Sequence, residues 1–533
     1  MVDENLEMQE VEHDLVIVGA ARQYPGFRSE SGLRMRGFSD IPIVLPPDAE
    51  TYHDTFEAEY VTKYLEGYVH VHVYNEKSLR DRVIFGFKVG GIEKIDGIWS
   101  VWSEVVKNGN GNEYKRIIKT KKLAIATGQN SLPYIPTFPN QTNFQSPIVH
   151  QKHFRQISTS ALASDFPYTA VTILGGGKSA ADMVYECVKA GKKVSWLIRQ
   201  SGEGPAIFAG AKGRGQYRNS AEMSATRAFS ALSPSCFAEQ TWWSRFIHRS
   251  RIMNSIVSRI WKGADEEATK LADFERENAL PGFEGLKFER YGGEECEGLS
   301  GGYCTAGCSC DCKRGYPFLS PAQIREFGLP HPGIEDSEEE ARIWDSLTEN
   351  ATREILTSFP KLRNPPDSMH TQGQKETTQA IPSTPTRLYK FLAPLNDLPD
   401  PSLVFLSHVH LSNAFRLAEA QALWTTAYFS SHLSLPGLRE ARCEVAYQNG
   451  FSKLRYPAHG EGGNYFHVDL VGYTDALVRE VGLGSYRGGG VWRDWVSTCT
   501  ARDYGGMREE FLGRFGKSVW SEKEIKEEEG VVG

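Results

Sequence analysis

One short glycine-rich stretch could bind the phosphates of a dinucleotide. Residues 175–180 read GGGKSA, which matches the pattern GxGxxG/A of dinucleotide-binding turns. Gly175 would permit the tight turn, and Gly177 would let the backbone approach a pyrophosphate. Ala180 is small enough for close packing of helix and strand, and Ser179 could add a hydroxyl donor. The phosphates would then lie at a helix N-terminus, where free N–H groups and the helix dipole favour negative charge.

Arg199 is the residue that would select the nucleotide. A site for NAD places Asp or Glu about 20 residues after the turn, at the end of the second strand, to hold the ribose hydroxyls. Here that position is Arg199, and a guanidinium matches a phosphate in bidentate geometry. The sequence therefore favours NADPH over NADH. The alternative interpretation is a glycine-rich turn without a ligand, with Arg199 as a solvated surface charge.

A strand–helix–strand unit would position this turn. Residues 171–174 (VTIL) predict a strand, residues 178–191 predict a helix with its apolar residues on one face, and residues 192–199 predict a second strand. Gly191 would end the helix. This order is that of a βαβ unit, which is the context that the glycine pattern requires.

Other stretches predict further elements of an α/β fold. The apolar runs at 14–20 (DLVIVGA) and 122–126 (KLAIA) are typical of buried parallel strands. Residues 82–103 alternate like strand residues, and helical patterns cover residues 219–280 and 411–433.

Length and charge exclude several classes of protein. The 533 residues exceed the roughly 250–300 at which single cores stop growing, so two or three domains are expected. The net charge of −7 and the lack of a basic stripe argue against binding to nucleic acid. The acidic N-terminus has no apolar core, which argues against a signal or transit peptide. No run of about 18 apolar residues predicts a membrane span, so we expect a cytoplasmic protein.

Four motifs carry a resemblance to the flavin-containing monooxygenases, and most closely to the fungal branch tied to secondary metabolism. They are the glycine turn, the ATG at 126–128 with later prolines, the run FQSPIVHQKHF at 144–154, and RLYKF at 387–391 with EAQALW at 419–424. The third resembles the family pattern F-x-G-x-x-x-H-x-x-x-aromatic, with Ser146 in place of glycine. The similarity covers roughly residues 16–290 and 313–520.

The resemblance implies an α/β fold with two Rossmann-like dinucleotide-binding domains. The NADPH domain (166–312, with a helical insertion) would be inserted in a discontinuous FAD domain (1–165 and 313–533, the latter including the C-terminal region). In that family NADPH reduces FAD and the reduced flavin activates dioxygen, while the protein supplies binding, orientation and a dry pocket. The implied partners are dioxygen and a small-molecule substrate, such as an aromatic or polyketide-like compound.

The implied cofactor-binding residues come from both domains. His150 would lie in the linker between them and help to order them, or it would be an ordinary hydrogen-bonded linker histidine. Gln421 would lie near the flavin or pack on a helix face. The full set is Gly19, Thr127, Gly128, His150, Gly175, Gly177, Lys178, Ser179, Ala180, Arg199 and Gln421. No catalytic residue is assigned and no metal is expected.

The flavin half departs from the family near the N-terminus. The strand at 14–20 is present and Gly19 could begin the turn, but Ala21, Tyr24 and Pro25 follow. Proline inside the first helix would break it. We therefore expect the FAD βαβ unit to be incomplete, without a helix N-terminus for the FAD pyrophosphate and with apolar surface of the sheet exposed.

A second anomaly is the Gly- and Cys-rich stretch at 291–314. Cys304, Cys308, Cys310 and Cys312 have the spacing C-x₃-C-x-C-x-C, which lacks the paired C-x₂₋₄-C of structural zinc sites. A faulty gene model or a decayed gene would explain both anomalies, and metal binding is the rival explanation. The alternative functions are thus a catalytically impaired remnant that binds NADP(H) without flavin, and a flavin disulfide reductase.

Several other residues have structural and functional interpretations. Trp242, Trp243 and Trp261 are predicted core residues that could instead line a substrate pocket. His408 and His410 alternate as on a strand, where a structural role is favoured over a metal pair because no third ligand is evident. Cys187 is predicted to be a small buried apolar residue.

Overall fold

The computed structural model describes most of the chain. The described residues are 7–18, 29, 31–107, 113–128, 132–133, 135–154, 169–198, 212–238, 241–272, 312–313, 316, 318–330, 337–363, 384–456 and 460–519. Gly19 and Arg199 lie outside them, as do Cys304, Cys308 and Cys310. The domain boundaries predicted near 165 and 312 fall within or beside segments outside this description and remain predictions.

The described strands form one mixed sheet and several short two-stranded pairs. They are β1 (Glu7–Val18), β2 (Val73–Tyr74), β3 (Lys77–Ser78), β4 (Val89–Ile95), β5 (Ile98–Ser103), β6 (Val106–Lys107), β7 (Glu113–Ile125), β8 (Leu132–Pro133), β9 (Ala170–Leu174), β10 (Lys193–Leu197), β11 (Cys312–Lys313), β12 (Leu388–Tyr389), β13 (Ala393–Pro394) and β14 (Leu403–Phe405).

The helices fall mostly in the second half of the chain, and together with the strands they confirm the α/β fold class. They are α1 (Glu59–Val71), α2 (Lys178–Lys189), α3 (Ser220–Ser224), α4 (Arg227–Ser230), α5 (Trp242–Arg249), α6 (Arg251–Ala272), α7 (Pro321–Glu326), α8 (Glu338–Ser358), α9 (Ala414–Phe429), α10 (Leu438–Arg455), α11 (Leu470–Glu480), α12 (Val491–Val496) and α13 (Met507–Val519).

β7 organises the main sheet. Along one edge it pairs in parallel with β1, from Tyr114 opposite Glu7 to Ile125 opposite Val18. Along the other edge it pairs with antiparallel β5 and then with parallel β14. The end of β7 is buried on both faces, which explains the continuous apolar run and confirms the strand predicted at 122–126. The carboxyl ends of β1, β7 and β14 therefore lie side by side at one end of the sheet, which we call the strand edge.

β1 begins earlier than predicted, at Glu7 rather than near residue 14. Within the described residues no strand pairs with its outer edge. Val11, Leu15 and Ile17 are exposed on this strand. An exposed apolar face is what the predicted loss of the FAD helix and strand would produce. The predicted loss itself falls on residues 19–28, outside the described chain, and remains a prediction.

The predicted βαβ unit is confirmed. β9 and β10 are parallel neighbours, with Val171 opposite Val194, and α2 joins them. The helix ends at Lys189, and Gly191 just after it has a φ of +73°, while the N–H of Lys192 bonds back to the carbonyl of Cys187 at 3.0 Å. Such a left-handed residue after a helix is where glycine is favoured. The side chain of Cys187 is buried, as predicted.

The prediction that the tryptophans are core residues is wrong for two of the three. Trp242 and Trp243, at the start of α5, are exposed, whereas Trp261 of α6 is half-buried. The main core cluster lies instead around helices α8 to α11, where Trp424 stacks on Tyr428 with ring centroids 5.1 Å apart. No helix in the described ranges is long and apolar enough to cross a membrane.

A buried ionic network joins distant parts of the chain. Asp475 on α11 accepts hydrogen bonds from Arg227 at 2.9 and 3.0 Å and from Arg416 at 2.9 Å. All three side chains are nearly or fully buried. Arg416 also donates to Thr474 Oγ1 at 3.0 Å and to the carbonyl of Thr500 at 2.9 Å. One carboxylate thus holds α4, α9 and α11 together.

Glu419 on α9 gives folding stability a pH dependence. Burial raises the pKa of this carboxyl to about 7, although the Ser39 N–H donates to Oε1 at 2.6 Å and favours the charged form. The ordinary pKa is 4.5. The contribution of Glu419 to stability is complete below pH 4.5 and is lost as the pH rises through about 7, because the unfolded state ionises first.

We expect Glu419→Gln to remove this loss. The amide cannot ionise and still accepts the hydrogen bond from Ser39, so near pH 8 the variant should be more stable than the wild type by about 1–3 kcal/mol. At about pH 4 this difference should disappear. Chemical denaturation at both pH values measures it. Glu349→Gln, an exposed position on α8, is the control and should not change the pH profile; an unchanged profile for Glu419→Gln would contradict the prediction.

Candidate functional site

The predicted glycine turn is open to solvent. Gly175 is exposed and has a φ of +118°, and a Cβ built on it would have no described atom within 4 Å. Gly177 precedes α2 without a side-chain cap, and the first helical hydrogen bond runs from Ala181 to its carbonyl at 3.1 Å. The N–H groups of the first helical turn therefore lack intrahelical acceptors. Lys178 and Ser179 open the helix at this end.

Two strand residues fix the shape of the turn. The Gly175 N–H donates to the carbonyl of Leu197 at 2.9 Å, and the indole N–H of Trp196 donates to the carbonyl of Gly175 at 2.6 Å. Both partners lie at the end of β10. Ala180 is buried against Ile173, so the helix packs closely on β9 as its small size predicted. The turn is thus held by hydrogen bonds to the end of β10, while Gly175 itself stays exposed to solvent.

The fingerprint segment at 144–154 ends against this unit. His150 is buried and its Nδ1 accepts the N–H of Lys152 at 3.2 Å, which caps a short 3₁₀ turn. Phe154 packs on the cluster that contains Ile173 and Ala180. The segment therefore packs on the β9–α2 unit, and the linker role of His150 stays a prediction.

Thr127 and Gly128 lie at the strand edge, immediately after β7. The N–H of Leu406, just beyond β14, donates to the carbonyl of Ile125 at 2.8 Å, so the two strand ends stay side by side. Gly128 has a φ of +71° and open space at its Cβ position. The hydroxyl of Thr127 is buried and has no partner among the described residues. An unpartnered buried hydroxyl costs free energy unless a ligand or water satisfies it.

Gln421 supports this edge from α9. Its Oε1 accepts the N–H of Ser407 at 2.9 Å, and its Nε2 donates to the hydroxyl of Tyr473 at 3.2 Å. Its side chain is buried. The amide thus ties the loop after β14 to Tyr473 on α11, and a direct contact of Gln421 with a cofactor remains a prediction.

His408 and His410 have structural partners rather than a metal geometry. His408 Nδ1 lies 3.0 Å from the Tyr316 hydroxyl, and its Nε2 lies 3.0 Å from Thr386 Oγ1. His410 stacks on Tyr465 with ring centroids 4.5 Å apart. Both residues follow β14 instead of lying on it. No group of three or more His, Cys, Asp or Glu that could hold a metal was found in the described ranges.

Asn413 is a candidate site residue that the sequence analysis missed. It precedes α9 in the left-handed region, with φ 55° and ψ 83°, and it makes no capping bond. Both polar atoms of its amide are buried without a partner in the described structure. Strain and unsatisfied polar groups at one residue are typical of ligand sites. The sequence shows only an Asn before a helical pattern, and an ordinary N-cap residue has the same pattern.

Asn413 faces a small cavity of about 90 Å³. This space fits part of a ligand. It lies at the N-terminus of α9, a 16-residue helix whose free N–H groups favour negative charge. Trp261 from α6 also lines it, which agrees with the predicted alternative that this residue lines a pocket. Other lining residues are Met35, Phe229, His467 and Leu470.

A larger cavity of about 840 Å³ lies away from the strand ends. Arg34 and Arg487 in its wall are paired with Glu222 and with Glu510, respectively. Among the residues that the structure describes, none that directly follows β7 or β14 lines it. Parallel α/β sheets bind ligands beyond the carboxyl ends of their strands. Thr127 and Gly128, directly after β7, are therefore candidate site residues, and Asn413, in the chain that follows β14, is a further candidate at its own small cavity.

A known family model covers the nucleotide turn. A model described as pyridine nucleotide-disulphide oxidoreductase matches residues 105–206. The match begins before β7 and ends after β10, so it includes both Thr127-Gly128 and the confirmed βαβ unit.

Over most of its length the chain is similar to fungal monooxygenases. The FAD-dependent monooxygenase rstn6 of Aspergillus nomiae is 26% identical over 557 residues, which cover 93% of this chain and 91% of that protein. An FAD-dependent monooxygenase of Pyrenophora dematioidea is 26% identical over 523 residues, or 87% of this chain and 90% of that protein. These similarities confirm the predicted resemblance. The structure of S-allyl-L-cysteine S-oxygenase from Allium sativum is 15% identical, with a TM-score of 0.45, over 95% of this chain and 83% of that one.

Proposed function

We propose that this relative of the fungal FAD-dependent monooxygenases is itself an FAD- and NADPH-dependent monooxygenase. It transfers one oxygen atom of dioxygen to a small organic molecule, such as an aromatic or polyketide-like secondary metabolite. NADPH supplies two electrons, and the second oxygen atom leaves as water. The observation that carries the proposal is the open glycine turn of a βαβ unit in a chain similar to such enzymes over 93% of its length.

The turn between β9 and α2 is the proposed NADPH site. Lys178, Ser179 and Ala180 open α2, and the helix dipole at this N-terminus favours the negative charge of the phosphates. Gly175 and Gly177 supply the backbone shape. Trp196 keeps that shape when the site is empty, through its bond to the Gly175 carbonyl. Arg199, outside the described residues, is proposed to pair with the 2′-phosphate.

The strand edge is the proposed flavin site, and the residues present fit part of FAD. The Thr127 hydroxyl and the Asn413 amide offer buried polar groups that lack partners in the described structure. The N-terminus of α9 favours the electron-rich carbonyl edge of a flavin ring. Gly128 leaves room for close approach. Gly19 is proposed to begin the turn at the pyrophosphate, His150 to order the two domains, and Gln421 to hold the Ser407 loop.

The flavin supplies the chemistry that side chains cannot, the two-electron activation of dioxygen. The chain supplies orientation and a closed site. Asn413 would donate to or accept from a polar edge of the ring, Trp261 and Phe229 at the same cavity would supply apolar walls that exclude water, and the Thr127 hydroxyl would offer a hydrogen bond at the end of β7. We assign the FAD domain to residues 1–165 and 313–533 and the NADPH domain to residues 166–312.

A second candidate function is a remnant that binds NADP(H) without flavin. It is favoured by one observation, the residues Ala21, Tyr24 and Pro25 where a flavin turn and helix are expected. The two candidates differ in colour. A yellow purified protein that consumes NADPH and dioxygen supports the monooxygenase. A colourless protein that binds NADPH supports the remnant, and a folded protein that binds neither cofactor contradicts both.

Asn413→Gly tests the strand-edge site. Glycine keeps the left-handed backbone and removes only the amide. We expect FAD affinity to fall about tenfold, while the free protein becomes no less stable because two buried unpartnered polar atoms disappear. Flavin fluorescence and chemical denaturation measure the two effects. Asn140→Gly, an exposed asparagine with a φ of 58°, is the control. Unchanged FAD affinity in Asn413→Gly would show that the amide has no role in binding.

A further inference from the structure

Helices α5 and α6 carry an unusually basic sequence for this acidic chain. Residues 241–264 contain five cations and no acidic residue, although the net charge of the protein is −7. All five cations are exposed. They are Arg245, Arg249, Arg251, Arg259 and Lys262.

The same two helices expose large apolar side chains. Trp242 is 73% exposed and Ile252 is 74% exposed. Trp243 and Phe246 of α5 and Ile256 and Ile260 of α6 are also exposed. Single exposed apolar residues are ordinary, but contiguous sets mark interaction surfaces.

The apolar side chains form stripes that face away from the core. Ile252, Ile256 and Ile260 are spaced by four residues, which places them along one face of α6. Val257, beside this stripe on the side toward Trp261, is buried. In α5 the buried residues are Ile247 and His248, while the aromatic residues and both arginines point outward. We call this outward surface of α5 and α6 the basic–apolar face.

We propose that the basic–apolar face binds the surface of a membrane that contains anionic lipids. Interfacial helices combine an apolar stripe with Trp or Phe and with Lys or Arg that contact the headgroups, and they lie in the membrane plane without crossing it. The five exposed cations outnumber the acidic residues of the two helices, which lie at 265–267, and this excess of positive charge matches an anionic surface. The large apolar side chains among the cations are highly exposed, which suits insertion between lipids better than docking of an acidic protein.

The position of α6 would bring the membrane surface close to the cavity at Asn413. Trp261, on the inner side of the helix, lines the cavity at Asn413, while Ile260 and Lys262 on either side of it are exposed. One helix thus separates the candidate site from the basic–apolar face. A membrane-dissolved, apolar substrate would be released next to the site. This attachment goes beyond the proposed oxygenation and does not depend on it.

Vesicle sedimentation with the full chain tests the proposal without any cofactor. The protein should bind vesicles of phosphatidylcholine mixed with phosphatidylserine and should bind much less to phosphatidylcholine alone. Trp242→Ser with Ile252→Ser should weaken binding at least about tenfold. Trp492→Ser is the control, because this tryptophan on α12 is 85% exposed but lies outside the face.

A charge variant distinguishes a lipid surface from other apolar contacts. Arg245→Ser with Arg249→Ser should weaken binding to the anionic vesicles about fivefold for each cation removed, and added salt should have the same effect. Absence of binding to either vesicle, or equal loss in the Trp492 control, would overturn the proposal. Binding to an acidic polypeptide but not to vesicles would also overturn it, in favour of a protein partner.

Discussion

Asp475→Ala is expected to destabilise the folded protein by about 3–5 kcal/mol, because it leaves buried guanidinium groups without their shared carboxylate. Arg416 is fully buried and Arg227 is nearly so, and both bond to this residue within 3.0 Å. Arg416 would keep Asp503 as an ionic partner, at 3.3 Å, whereas the acceptors left to Arg227 in the described part of the chain are the carbonyls of Asp494 and Ser485. Urea denaturation followed by fluorescence measures the loss.

Asp345→Ala is the matched control for this network. Asp345 is an exposed residue of α8, so its removal should change stability by less than about 0.5 kcal/mol. If Asp475→Ala unfolds at the same urea concentration as this control, the network does not stabilise the fold. Replacing Asp475 with Asn should give an intermediate loss, since the amide oxygen can still accept one of the hydrogen bonds.

Gly175→Val is expected to weaken NADPH binding about hundredfold, or about 2.7 kcal/mol. A φ of +118° is a conformation that β-branched residues do not adopt, so the turn must change shape. The loss does not come from steric overlap within the protein, because no described atom lies within 4 Å of the added Cβ. The altered turn would misplace the N–H groups of α2 that face the phosphates. Equilibrium titration with NADPH measures the affinity.

Gly191→Val separates nucleotide binding from backbone strain. Gly191 lies at the other end of α2, also has a positive φ, and also has open space at its Cβ position. Both variants should lose similar stability, of order 1–3 kcal/mol. Only Gly175→Val should lose NADPH. Equal affinities in the two variants would mean that the glycine turn is not the nucleotide site.

The βαβ unit could be predicted because its signals are local. The apolar strand, the glycines and the apolar helix face that includes Ala180 lie within 30 residues of sequence. The structure confirms each of these elements within a few positions. The hydrogen bond from Trp196 could not be predicted in this way. It depends on the register of two parallel strands, which brings the end of β10 beneath Gly175.

The strand-edge residues show what sequence reasoning misses. Thr127 and Gly128 were found from their motif, but Asn413 resembled an ordinary helix cap, and only its backbone angles and unpartnered amide set it apart. Trp242 and Trp243 were wrongly assigned to the core because apolar character was used as evidence of burial. Buried residues are mostly apolar, but an apolar residue is not necessarily buried, since much of any protein surface is apolar.

The pairing of β14 with β7 has a consequence for biosynthesis. Val404 lies opposite Ala124, a separation of 404 − 124 = 280 residues. During translation, residues 123–125 of β7 cannot meet this partner until about three-quarters of the polypeptide has left the ribosome. Contacts of such range close slowly and leave strand edges open to aggregation in the meantime. Nascent chains stalled before residue 403 should therefore depend on chaperones.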